Sequence, residues 1–493
     1  MDVVVLERRV RQALVTLSVI LGAVLAANLV VLLWAGHEFG PVESMVALHS
    51  NMLASGEGIY YDLNRYPYTV SPYGPIFYSS SALLHRAGLP LLPEGRCISF
   101  GALLTILWLS WRVLGFLAVD RFARWTGVLL VGVTANLLFW GTMGQVDTLA
   151  ICLSFAGFTE YLGWRRQRFP SRLWAAGVFA ILAFFTKQTA LAGAATVAVC
   201  LAFEDRKRAA IWIPSVATAA ILAVVALNAV THGHYVADAL ISNAVHPFAW
   251  DKLAGQLQYF ALTAGVLVLV AIAGARSVTR RTAPAFVYLA FSSAAFLATA
   301  AKIGSDLNYQ VEATVALCVC AACSLDGLRF FPRVFASDLG WVPLLQLPLL
   351  LYVTLNVALA GRTLLERVVL EPVKRAETAA LAPYIGGPAD HVICTQMDAL
   401  VHLHPRLEVE TLFYALLVAA GRVDPEPVRR DLSAGRFQTV VLDRDVFAMN
   451  RRDDESEMLL LPAAALDEIR KHYKLVAHVP GAYLDGDYVY QPK

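Results

Sequence analysis

The sequence predicts a polytopic α-helical membrane protein of about eleven spans, followed by a small α/β domain outside the membrane. Three observations predict it. Of 493 residues, 58% are hydrophobic and only 16% charged, with a mean hydropathy of +0.57, whereas soluble domains lie nearer half apolar and a quarter charged. Apolar stretches long enough to cross a bilayer recur over most of the chain. The short segments between them alternate between arginine-rich and cation-poor, the bias that sets orientation. A net charge of +2 with no basic tail gives no reason to expect a nucleic-acid partner.

The first apolar run, 13–34, follows Arg8, Arg9 and Arg11. It is too long for a signal peptide and lacks a small-residue cleavage site, so it reads as an anchor. Further spans are expected near 97–118, 125–141, 145–162, 173–186, 188–203, 210–229, 257–275, 283–300, 309–326 and 340–360. Every second loop is basic: Arg121 and Arg124; Arg165, Arg166, Arg168 and Arg172; Arg206, Lys207 and Arg208; Arg276, Arg280 and Arg281; Arg329 and Arg333. That alternation places the N-terminus in the cytoplasm, and the loop 35–96 and everything past 361 on the outer face. The expected location is the cell membrane, a bacterial plasma membrane being the natural setting.

Between the first two spans, 43–55 has Met45, Leu48, Met52 and Leu53 on one helical face, the pattern of an amphipathic helix lying at the interface. The tyrosines and prolines that follow, up to Tyr78, suit a headgroup region. The spans flanking Lys187 are short, which sets their turn below the membrane surface. Such a turn is tolerated only where protein buries it or it lines a wet cavity.

From about Glu366 the composition becomes that of a soluble domain of roughly 120 residues. We divide the chain at 362/363. Segments 391–396 and 437–443 read as buried strands, 412–420 and 464–472 as helices, and 474–478 with 488–491 as a hairpin around Asp485-Gly486. No dinucleotide, phosphate-loop or nucleophile-elbow motif is present in it. Asp443, Arg444 and Asp445 read as a solvated strand end.

Seven cysteines give no disulfide framework, and Cys318, Cys320 and Cys323, in an apolar helix without histidine, read as packing residues. His232-Gly233-His234 and His246 share an outer loop, but their spacing is unspecific for metal. No metal ligand set is assigned, and no cofactor is named; a divalent metal assisting the reaction is compatible with the sequence.

Polar residues on the wet side of a helical membrane protein are where chemistry is to be sought. Glu43 stands at the start of the interfacial helix, where a carboxylate either complements the helix dipole or serves as a base. Asp147 follows the glycine-rich turn Gly141-Thr142-Met143-Gly144-Gln145 and enters the first turn of a span, a costly position that calls for a partner. Lys187, between two apolar stretches on the cation-poor side, snorkels or binds an anion. Lys302 has the same status, and Glu312, just inside a span, needs a cation such as either lysine.

In order and sidedness these features resemble the GT-C class of membrane glycosyltransferases, in particular the bacterial relatives of protein O-mannosyltransferases and lipid A aminoarabinose transferases. The elements are Val42-Glu43; Ala54-Ser55-Gly56-Glu57-Gly58-Ile59-Tyr60; Ser71-Pro72-Tyr73-Gly74-Pro75; Gly144-Gln145-Val146-Asp147; Phe185-Thr186-Lys187-Gln188; and Asn308-Tyr309 with Glu312. The resemblance covers most of 1–360, and the C-terminal domain is similar to an outer domain that some members carry. It implies a GT-C-like fold and an inverting sugar transfer at the outer face. The donor would be a polyprenyl-phosphate sugar drawn from the membrane lipid, the acceptor a lipid, glycan or protein. Where the family has Asp-Glu, this chain has Val42-Glu43, so the base is Glu43 or Asp62, with Asp147 the second catalytic acid. Lys187 and Lys302 would hold the donor phosphate. Tyr60, Tyr73, Gln145, Gln188, Asn308, Tyr309 and Glu312 would line the substrate pocket. A flippase for lipid-linked glycans and a non-catalytic assembly subunit are the alternatives.

Overall fold

The computed structural model describes residues 3–329, 341–387, 390–449, 461–481 and 486–493; Arg333 and Asp485 lie outside them. Helices occupy each expected apolar stretch. In chain order they are α1 (Val3–Trp34), α2 (Pro41–Ala54), α3 (Pro75–Arg86), α4 (Leu91–Phe116), α5 (Arg121–Val133), α6 (Ala135–Trp140) and α7 (Val146–Gln167). Then come α8 (Pro170–Thr186), α9 (Ala192–Glu204), α10 (Arg206–Val230), α11 (Ser242–Ala244), α12 (Trp250–Gly274), α13 (Ala283–Thr299), α14 (Val311–Arg329) and α15 (Trp341–Leu381). Among the described residues, six helices are long and apolar enough to cross a membrane, and α8, α9 and α13 are shorter apolar helices.

Two departures from regular spans position the site. The third apolar stretch breaks at Thr134, whose ψ of 111° leaves the helix between α5 and α6. The broken ladder is repaired from α15: Asn356 accepts from the Ala135 amide at 3.0 Å, and Tyr352 meets the Thr134 hydroxyl at 2.9 Å. Helix α9 has only 13 residues, about 20 Å against a hydrocarbon core of about 30 Å. The α8–α9 turn that carries Lys187 is therefore set into the bundle, and Lys187 is buried.

The core of the bundle is α14, whose Val311–Leu325 stretch is buried nearly throughout, packed by α5, α12 and α13. Cys318, Cys320 and Cys323 lie buried there as packing residues. Helix α15 runs 41 residues without a break, about 60 Å, across the 362/363 division and into the C-terminal domain. Its buried face past the apolar part carries Arg367, Glu371, Lys374 and Glu377.

The C-terminal domain is a four-stranded sheet in the order β1-β2-β4-β3, with β1 (Val392–Cys394), β2 (Thr439–Leu442), β3 (Tyr473–Val479) and β4 (Asp487–Pro492). β1 and β2 are parallel, and β4 runs antiparallel to both β2 and β3. Helices α16 (Met397–Leu403), α17 (Thr411–Ala419), α18 (Glu426–Ser433) and α19 (Ala463–His472) accompany it. The strands and helices read from sequence are all found.

The domain docks onto the loop that follows α2. Tyr68 and its neighbours pair with the segment at Glu408 and Glu410 through backbone bonds of 2.7 and 3.0 Å, and the Tyr66 hydroxyl donates to Glu408 at 2.5 Å. Helix α2 itself differs from the expected interfacial helix. Met45 through Ser50 are all buried, polar members included, because α3 and α4 pack on one side and α16 covers the other.

Candidate active site

The carboxylate of Asp147 is the centre of the cluster. Gly144 and Gln145 end the turn after α6, Gln145 caps α7 in an extended conformation, and Asp147 falls in the first helical turn, where the helix N-terminus favours an anion. Its Oδ1 accepts from Lys187 Nζ at 2.5 Å and from Asn308 Nδ2 at 3.0 Å. Its Oδ2 is buried and has no hydrogen-bond partner. Lys187 Nζ also lies 4.0 Å over the Tyr309 ring and 5.9 Å from that of Tyr73, both faces attractive to a cation. Glu312 lines the same cavity. Its hydrogen-bond partners are not the lysines expected from sequence but Ser154 and Tyr288, which donate at 2.7 and 2.8 Å.

Glycine permits the close approach that seats this cluster. Gly74, in the Ser71–Pro75 element, packs directly against the backbone of Phe185, two residues before Lys187, and a Cβ there would collide with the Phe185 carbonyl. Gly95 and Gly144 likewise bring α4 against the turn before Asp147, with 2.9 Å between an ideal Cβ on Gly95 and Gly144 Cα.

Glu43 lies beneath that turn, fully buried. Four donors fill its two oxygens: Arg96 Nε (2.8 Å) and the Gly144 amide (2.7 Å) on Oε1, Arg96 Nη2 (2.9 Å) and the Phe39 amide (2.7 Å) on Oε2. Arg96 is spent too, donating to the carbonyls of Ala35 and His37 at 2.6 Å each. Arg367 binds the other end of the turn, through Thr142 at 2.5 Å and the Phe139 carbonyl at 3.0 Å. Both guanidinium groups stack on Phe39, at 3.8 and 4.1 Å. Arg96 and Arg367 went unrecognised in the sequence. Arg96 resembled a loop cation, but Arg367 had a legible signal: with Glu371 and Lys374 it repeats at the helical spacing of four and three.

The remaining candidates stand around this centre. Tyr60 donates to the Tyr73 carbonyl at 2.9 Å and packs edge-on against Tyr235. Gln188 reaches the Pro72 carbonyl at 3.4 Å. Gln145 accepts at its carbonyl from Ser99, 3.1 Å away. Lys302 donates to the Asn243 carbonyl at 3.2 Å, and among the described residues it is not hydrogen-bonded to Asp147. Asp62 is 40% exposed and bonded within its own turn to Asn64 and Arg65. His246 Nδ1 donates to the Ile303 carbonyl. Among the described residues, none of His232, His234 and His246 belongs to a group of metal-ligating side chains.

Compared with solved structures, the chain matches ArnT from Cupriavidus metallidurans in the apo state with a TM-score of 0.62 at 14% identity, over 96% of this chain and 97% of that one. ArnT from the same organism bound to undecaprenyl phosphate matches with the same identity and coverage and a TM-score of 0.59. The apo oligosaccharyltransferase of Archaeoglobus fulgidus matches with a TM-score of 0.53 at 13% identity, over 94% of this chain and 72% of that one. These are GT-C proteins, and at such identities the likeness is one of fold. The GT-C-like architecture expected from the sequence is the architecture of the chain, helical bundle and C-terminal domain together. No family model matches the sequence, and no curated protein does.

Proposed function

We propose that this chain is a membrane glycosyltransferase that moves a sugar from a polyprenyl-phosphate donor to a hydroxyl-bearing lipid, glycan or protein. The observation that carries the reading is the buried Asp147–Lys187 pair, which offers a base and a phosphate counter-charge in one cavity. A hydroxyl is a poor nucleophile until a carboxylate within hydrogen-bond reach takes its proton, and Asp147 Oδ2 is unpartnered for that task. The acceptor oxygen then bonds to the anomeric carbon as the carbon–oxygen bond to phosphate breaks. The electron pair leaves on the phosphate, and attack from the opposite face inverts the centre. Lys187 neutralises that departing charge. In this reading Glu43, expected to be a base, is a positioning residue that holds the Gly144 turn. Asp62 and Lys302 belong to the rim.

The cavity around the pair is only about 30 Å³, room for about one water, so donor entry must draw Lys187 from Asp147 toward the phosphate. A second feature supports a lipid-borne donor. An apolar cavity of about 550 Å³ lies between α8, α9 and α10, lined by Ile181, Phe184, Leu191, Trp212 and Val224. Phe184 and Leu191 flank the Lys187 turn, so an isoprenoid tail lying in the cavity would bring its phosphate toward that lysine. Undecaprenyl phosphate is the molecule bound to the ArnT structure.

The test is release of lipid phosphate when purified protein meets a panel of polyprenyl-phosphate sugars with candidate acceptors. Asp147→Asn should lower turnover by about 100- to 10,000-fold, and Lys187→Ala should chiefly raise the apparent donor KM. Full turnover in the first, with unchanged donor KM in the second, would overturn the assignment.

A further inference from the structure

Away from the Asp147 cluster, the turn after α1 meets α16 of the C-terminal domain through three side chains of metal-ligand type. His37, Asp398 and His402 each present one ligand atom, all within 4.8 Å of one another. His37 Nδ1 stands 2.8 Å from Asp398 Oδ2, and His402 Nε2 3.8 Å from Asp398 Oδ1. Ligand atoms about 2.0–2.1 Å from a tetrahedral ion are themselves about 3.3 Å apart, within the 4.8 Å spread of this group. The imidazole centroids are 4.4 Å apart.

The surroundings match what a bound ion asks of its outer shell. The Glu38 amide donates to Asp398 Oδ1 at 3.0 Å, orienting the carboxylate. Glu371 accepts from the amides of Gly36 and His37 at 3.1 and 3.3 Å, fixing the main chain that bears the first ligand.

Glu38 is the second, independent sign. It is 4% exposed, yet its Oε2 has no hydrogen-bond partner, a costly arrangement without a cation or donor to meet it. Lys374 lies 3.7 Å from its other oxygen, Oε1. Three carboxylates, Glu38, Glu371 and Asp398, thus face Lys374 and the exposed Arg375. His402, 31% exposed at its side chain, opens the cluster to solvent.

We infer that His37, Asp398 and His402 form a divalent-metal site of the zinc class, with water in the fourth position. A His₂Asp set suits Zn²⁺. Binding replaces the hydrogen bond between His37 and Asp398. The ion joins residues 361 positions apart and fastens the C-terminal domain to the bundle. The role is architectural and independent of the transfer chemistry proposed above.

The test uses full-length, chelator-stripped protein in detergent, dialysed against Zn²⁺ and read by elemental analysis and thermal unfolding. Wild type should hold about one zinc per chain and melt higher with zinc, since ligand bound only to the native state stabilises it. His402→Ala changes a solvent-facing side chain and should fold, but bind zinc about 100-fold more weakly and lose the zinc-dependent rise in melting temperature. His232→Ala, a control in the other histidine loop, should behave as wild type. Absence of stoichiometric zinc in wild type would overturn the site. So would equal uptake by His402→Ala, or a loss confined to His232→Ala.

Discussion

Replacing Glu43 by Gln separates a positioning role from a catalytic one. Both carboxylate oxygens accept two donors each, from Arg96, the Gly144 amide and the Phe39 amide. An amide in the same place turns one acceptor into a donor, aimed at two donors already there. Arg96, fully buried, would then have lost the formal charge that balances it, a loss worth about 3–5 kcal/mol in buried pairs. The thermal midpoint of the detergent-solubilised protein should therefore fall by several degrees in Glu43→Gln. Arg96→Gln should fall similarly, and the double variant by less than the sum. A carboxylate acting as the base itself would give the opposite pattern, with turnover lost and stability kept. An unchanged midpoint in Glu43→Gln would refute the reasoning and return Glu43 to the role of base.

Gly74→Ala should destabilise the protein and weaken donor use together, because a Cβ there meets the Phe185 backbone and pushes the Lys187 turn out of register; wild-type donor KM would show that the two segments are uncoupled. Glu410 caps α17 through the Phe413 amide at 2.6 Å, and burial raises its carboxyl to about 8. Between its ordinary 4.5 and that value the folded chain holds a proton that the unfolded chain has released. Stability should therefore fall as pH rises through this window, by on the order of a few kcal/mol. Glu410→Gln should remove that share of the slope, so the difference in melting temperature between the two proteins should change from pH 5 to pH 8. A difference constant across that range would mean that the cap keeps its charge.

The parts of the fold that local pattern encodes were legible. Hydropathy marked the helices, short apolar runs and turn residues marked the small sheet, and the glycine-rich turn before Asp147 marked the carboxylate that Lys187 meets. Partnerships over long separations were not legible. Nothing near Arg96 says that its carboxylate lies 53 positions earlier, and Glu312 attracted a lysine in expectation when two hydroxyls satisfy it. Helix α2 was misplaced for a related reason: its stripe of Met45, Leu48 and Met52 fits a bilayer interface as well as a protein groove, and the covering element, α16, lies about 350 residues downstream. The last span was ended near 360 because hydropathy falls there. The helix continues, since Arg367, Glu371 and Lys374 keep helical spacing while exchanging an apolar environment for buried polar partners.

That continuation ties the site to the domain. The turn that delivers Asp147 is held at Gly144 by Glu43 and at Thr142 and Phe139 by Arg367. Arg367 belongs to the same unbroken helix whose Glu371 and Lys374 grip the turn after α1 at Gly36, His37 and Glu38. Phe39, stacked between Arg96 and Arg367, joins the two grips. A movement of the C-terminal domain would therefore act through α15 on the backbone that sets the free oxygen of Asp147. Three buried cations of α4 and α15 have carboxylates, carbonyls and hydroxyls of this corner as partners, which is why charges costly to bury are kept here. They fix the backbone turn that carries Asp147, and the C-terminal domain is part of that fixture.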